Sequence, residues 1–226
     1  MTRTSKIPAA LALLLILSFG AAAQTRHKPA ASKATPAKPA DESQLYRNTT
    51  FGFRFQIPYG WVDRTKEMRE QNAPEKEIPE KTSPDKTTPE KSASAPQGEV
   101  LLALFERPPD AVGDTINSAV VIASEPASSY PGLKKAEDYV DPLTELTAAK
   151  GFKSESDPVV LDIDSRQLVC VDFTKALSEK LTMRQTTLIL LTKGQFLTFT
   201  FVAGSDDEID NLIDTLHFGP EKSPRH

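Results

Sequence analysis

The residues that could carry chemistry are few. The three histidines are His27, His217 and His226, and a Ser-His-Asp relay would have to use His217, because the other two lie near the ends of the chain. No Gly-x-Ser-x-Gly elbow and no Gly-rich phosphate loop occurs among the 10 glycines. Asp206-Asp207-Glu208 with Asp210 could offer oxygens to a hard cation, but the cluster lacks the alternating spacing of a calcium loop. Capping of a helix explains it instead. Asp162, Asp164 and Asp172 are further carboxylates on or near strands. A glycosidase pair would need a separation of ~5–5.5 Å or ~6.5–9.5 Å, and turn or surface placement suits Asp162 and Asp164. The lone Cys170 excludes a disulfide framework and a Cys-based zinc site. It is either a buried small hydrophobe or a thiol that pairs between molecules. Asn48-Thr49-Thr50 is a glycosylation sequon. These readings predict no catalytic residue, no cofactor, no metal and no enzyme activity. The remaining candidate is an interaction patch of Tyr59 and Trp61 beside a turn, with Trp61 alternatively a plug in the core.

Charge and composition narrow the partners. There are 27 Lys and Arg against 31 Asp and Glu, for a net charge of −4, so the basic footprint of a nucleic-acid binder is missing. Residues 1–23 read as a signal peptide: Arg3 and Lys6 precede an apolar stretch from Ala9 to Phe19, and Ala21-Ala22-Ala23 ends it. Cleavage after Ala23 would leave Gln24 first and send the chain to the periplasm or outside the cell. The apolar stretch is shorter than a transmembrane helix needs.

Two segments are expected to be disordered. Residues 24–43 are rich in Ala, Lys, Pro and Thr and form a linker. Residues 66–98 carry a pentad, Pro74-Glu75-Lys76, Pro79-Glu80-Lys81, Pro84-Asp85-Lys86 and Pro89-Glu90-Lys91. Proline every five residues removes backbone donors that a helix or an inner strand needs. The segment is expected to interrupt a single domain over 44–218, with a flexible tail over 219–226.

Within that domain the hydrophobic periods predict strands first. Phe51, Phe53, Phe55 and Ile57 alternate with polar or small residues; Pro58-Tyr59-Gly60 turns the chain, and Trp61-Val62 resumes. Val100–Glu106, Asn117–Ser124, Phe152–Ile163 (broken at Asp157-Pro158) and Gln167–Thr174 follow. Thr182–Thr192 and Gln195–Ala203 flank Lys193-Gly194, a two-residue hairpin signal. Leu133, Ala136, Tyr139, Val140, Leu143 and Leu146 predict one helix, which Pro142 should kink or restart with Asp141 as its cap. Ser205 and Glu208 form a capping box ahead of a stripe of Ile209, Leu212, Ile213 and Leu216. Strand hairpins with helices at intervals give the α+β class with an antiparallel sheet.

Tyr46, then Phe51-Gly52-Phe53 and Phe55, then Pro58, Gly60 and Trp61, resemble the opening of PsbP-like domains. The close is also similar, in the Gln195–Ala203 strand, the helix after Ser205 and the final Leu216-His217-Phe218. PsbP of photosystem II, a Ran-binding import factor and secreted bacterial proteins share that fold. The resemblance implies a central antiparallel sheet flanked by helices, an α/β/α sandwich, and non-enzymatic roles in protein docking. The Pro-Glu-Lys insertion departs from the family pattern. The expected function is a secreted or periplasmic interaction module docking to an envelope protein. The alternative is a small-ligand carrier with an apolar pocket between sheet and helix layers.

Overall fold

The computed structural model describes residues 44–72, 98–109, 111 and 113–219. The expected signal peptide, the linker and the proline pentads lie outside these residues.

The described residues begin with a hairpin of β1 (Leu45–Asn48) and β2 (Phe53–Gln56), registered from Leu45 opposite Gln56 to Asn48 opposite Phe53. The alternation read from Phe51 to Ile57 is strand only over β2. Phe51 sits in the turn, where the Asn48 side chain accepts its N–H at 3.0 Å and Gly52 takes φ 72°. β1 itself carried no clear period in the sequence. On its other side β2 pairs with the last strand, β11 (Leu216–Phe218), which completes a three-stranded antiparallel sheet.

The larger sheet has eight strands. β3 (Val62–Asp63), β4 (Glu99–Phe105) and β5 (Ala119–Pro126) run to a centre formed by β10 (Gln195–Ala203) and β9 (Thr182–Thr192). Beyond them lies β8 (Arg166–Ala176), whose outer side pairs with both β6 (Lys153–Ser154) and β7 (Val159–Ile163). All these pairings are antiparallel. The Lys193-Gly194 hairpin forms as expected, with φ of 50° and 71°. Those are the paired positive angles of a type I′ turn, whose twist suits the flanking strands.

Among the described residues three α-helices cover the sheet: α1 (Thr65–Gln71), α2 (Val140–Ala149) and α3 (Asp206–Ile213). On the first face, Leu104, Ile122, Leu188, Phe199 and Phe201 of the large sheet pack against Phe53, Phe55 and Phe218 of the small one and Ile209 and Leu212 of α3. The Phe53 and Phe199 rings meet edge-on at 5.1 Å. On the second face two separate clusters form. Met68 of α1 packs with Ala103, Phe105, Val121 and Val202, and Leu143 of α2 with Tyr139, Val171, Ile189 and Phe196. The expected α+β architecture, a central antiparallel sheet flanked by helices, is therefore present. On the first face α3 shares its layer with the small sheet.

Four local expectations change. The segment expected to be extended from Lys66 begins as α1, because Met68 is buried and Arg69 donates to the Val100 carbonyl at 2.5 Å. The helix expected from Leu133 starts only at Val140, after a 3-10 turn over Glu137–Tyr139. Its cap position is Tyr139 without a side-chain bond, not Asp141, and Pro142 falls in the first turn, where helical N–H groups have no partner to lose. The Ser205 hydroxyl caps α3 by accepting the Glu208 N–H at 3.3 Å, but the Glu208 carboxylate accepts from the Ser118 hydroxyl at 2.5 Å. The box is thus half closed on itself, and its other half ties α3 to the sheet. Leu216 leaves the helical stripe for β11 and is buried there.

Candidate functional site

The Pro58–Gly60 turn is fixed from both sides. Gly60 takes φ 84°, and the Trp61 N–H bonds back to the Pro58 carbonyl at 3.3 Å. Trp61 is partly buried against the first-face core, and Val62 enters β3 opposite Phe105. Just beyond, the Arg64 N–H bonds to the Ala103 carbonyl at 2.8 Å, and the Ala103 N–H donates to the Thr65 hydroxyl at 2.9 Å. The turn thereby projects Tyr59, which is 97% exposed. Trp61 takes the reading of a plug on the core, and Tyr59 stands in solvent.

The other residues singled out from the sequence have structural employment. His217 Nδ1 lies 3.1 Å from the Asp164 carboxylate, which also accepts the Phe218 N–H at 3.2 Å. Asp164 sits in the β7–β8 turn at φ 46°, so this contact joins the small sheet to the edge of the large one. Asp206 pairs with Arg184 at 3.1 Å. Among the described residues no group of three or more His, Cys, Asp or Glu is placed to hold a metal ion. Asp172 accepts from the Thr186 hydroxyl at 2.6 Å. Cys170 is buried beside it, and burial together with the charges of Asp172 and Asp210 pushes its thiol up to about 12. A thiol so held stays protonated and unreactive. Asn48 of the sequon is bound on both sides of its amide, to the Phe51 N–H and the Tyr46 hydroxyl.

Two features escaped the sequence. A cleft of about 370 Å³ lies between the β1–β2 hairpin and one end of the large sheet, lined by Tyr46, Asn48, Phe51, Arg69, Glu99, Ser124 and Gln195 among others. A bulge between Val100 and Leu102 shifts the β4 register here. The Val100 and Leu101 carbonyls are met by Arg69, and Leu101 also accepts from the Tyr46 hydroxyl at 3.2 Å. The second feature is a buried Glu125, which accepts from the Tyr130 hydroxyl, with the Tyr139 hydroxyl buried and unbonded. Burial raises the Glu125 carboxyl above its ordinary value, and the Tyr130 hydrogen bond opposes that rise. Nothing periodic marks either site: the cleft gathers residues from elements far apart in the chain, and Glu125, Tyr130 and Tyr139 meet across the irregular stretch after β5.

No family model matches the chain, and no curated protein matches its sequence. Solved structures do. Cyanobacterial PsbP (CyanoP) from Synechocystis is 14% identical, with 81% of this chain and 98% of that one covered at a TM-score of 0.43. LpqN of Mycobacterium tuberculosis, involved in cell envelope biogenesis, is 14% identical over 80% and 87% at 0.37. A Pseudomonas aeruginosa protein of unknown function, a putative regulator, is 15% identical over 80% and 98% at 0.36. CyanoP is a PsbP, the family that the opening and closing motifs resemble.

Proposed function

We propose that this chain is a non-catalytic docking module of the periplasm or the extracellular space, and that it engages an envelope protein through the turn bearing Tyr59. The observation that carries the reading is the contrast within that turn: a tyrosine 97% exposed beside a tryptophan packed on the core. A large amphipathic ring held on a rigid support loses little conformational freedom on binding, and such rings are enriched among the residues that dominate interfaces. The leader read over residues 1–23 supplies the address.

The carrier alternative calls for an apolar pocket between sheet and helices. That space is filled by Met68, Leu143, Tyr139 and Phe196. The cleft of about 370 Å³ lies elsewhere and mixes amide, hydroxyl and charged groups with Phe51, Leu101 and Pro126.

The test places a photo-crosslinking amino acid at position 59 of the exported chain, and in parallel at Lys180, an exposed residue of the β8–β9 loop. Irradiation in the native envelope should give one discrete adduct from position 59 and none from 180. No adduct, or the same adducts from both positions, would remove Tyr59 as the docking residue.

A further inference from the structure

The outer edge of β7 is an unpaired strand with a defined hydrogen-bond phase. Ile163 stands opposite Arg166 across a two-residue turn, with φ of 46° and 70° at Asp164 and Ser165. In such a hairpin the closing pair exchanges both backbone bonds, and the alternation then leaves the N–H and C=O of Val160 and Asp162 directed away from β8. Among the described residues neither backbone group has a partner on that side. Val159 and Val160 are each 56% exposed, so the usual protection of an edge by lysine or proline is missing over these positions.

We propose that this edge pairs antiparallel with the β7 of a second copy of the chain, about a two-fold axis through Leu161. The strand is self-complementary in one register only. With the axis at Leu161, Val160 of each copy exchanges bonds with Asp162 of the other, giving four backbone hydrogen bonds, the most this phase allows. Sliding by one residue on either strand opposes inward-directed groups to outward ones. Sliding by two sets Asp162 against Asp162, a like-charge pair, or against Pro158, which has no N–H to give. In the favoured register Leu161 faces Leu161, and Val159 meets Ile163 on the face that already packs on the first-face core.

Charge selects a second copy over an unrelated strand. Asp157 precedes β7 and Arg166 follows it; both are exposed, and neither side chain has an ion-pair or hydrogen-bond partner among the described residues. Antiparallel pairing about Leu161 sets Arg166 of one copy at the end of the seam where Asp157 of the other lies, and does so twice. An isologous contact repeats every such match.

The experiment uses the full chain in sedimentation velocity from about 1 µM to about 1 mM, with amide exchange read by NMR over the same range. A monomer–dimer equilibrium is expected, and exchange at Val160 and Asp162 should slow as the dimer fills. Val160→Pro removes an outward N–H that the monomer does not use, and should give a folded monomer. Arg166→Glu and Asp157→Arg should each weaken the dimer about threefold, as surface ion pairs do, and the double variant should restore it. Strict monomer at 1 mM, a dimer that survives Val160→Pro, or a double variant that fails to restore pairing overturns the proposal. So does protection of the two amides that is independent of concentration, because another segment of the same chain would then cover the edge.

Discussion

β10 sends Phe199 and Phe201 to one face of the large sheet and Thr198 and Thr200 to the other. On the first face the small sheet lies across the strands, and its Phe53 and Phe218 reach Phe199, so large rings fill the gap. On the second face α1 and α2 cover separate ends, with Gln185, Thr187, Thr198 and Thr200 buried between the two apolar clusters. There hydroxyls bond laterally: Thr187 to Thr200 at 3.2 Å, and the Gln185 amide to Thr187 at 3.3 Å. A broad cover needs bulk to meet it. Two short helices leave a strip where β-branched side chains of moderate size satisfy one another.

That contrast can be broken by substitution. Phe199→Ala should have the largest effect, costing about 3–5 kcal/mol in urea melts, because the ring is fully buried and the two sheets cannot both collapse onto the void. If it costs under about 1 kcal/mol, the small sheet is not a packed layer. Thr187→Val should cost about 1–3 kcal/mol by stranding the Thr200 hydroxyl and the Gln185 amide, whereas adding Thr200→Val should recover the part due to the hydroxyl. Equal costs for the single and double variants would show that the hydroxyl pair contributes nothing specific.

Ser205→Ala should cost about 1 kcal/mol through the lost cap on α3, measured by the same melts. The smallest effect is a slope. Burial raises the Glu125 carboxyl, so the folded state holds its proton more tightly than the unfolded chain does. Its contribution to stability is therefore full below the unfolded value of about 4.3 and declines as pH rises from there through the raised folded value. Glu125→Gln, which keeps the shape of the neutral form, should flatten that decline in melts taken across the range. An unchanged slope would assign the pH dependence to other groups.

The sequence shows β10 and its hairpin with β9 plainly, because β10 carries no charged residue and Lys193-Gly194 marks the turn. It hides α1. The stretch Thr65–Gln71 has one apolar residue, Met68, and blends into the charged segment after it. What holds that helix is tertiary: the second-face cluster around Met68 and the bulge carbonyls that Arg69 meets. β1 is hidden for a similar reason, being four residues long and paired along its length with β2. At the candidate site both aromatic residues were legible as a pair. Their separation was legible as the reading of Trp61 as a core plug, and the fold decides between the readings by giving Trp61 core to reach and Tyr59 none.

β2 and β11 lie side by side, Phe53 opposite Phe218, so the first hairpin of the domain is completed by its last strand. Ordering a contact across so long a loop is entropically costly and comes late in folding. A chain delivered N-terminus first, whether from a ribosome or through a pore, leaves that edge of β2 unpaired until residues 216–218 arrive. Until that moment its backbone groups are open to whatever escorts the chain.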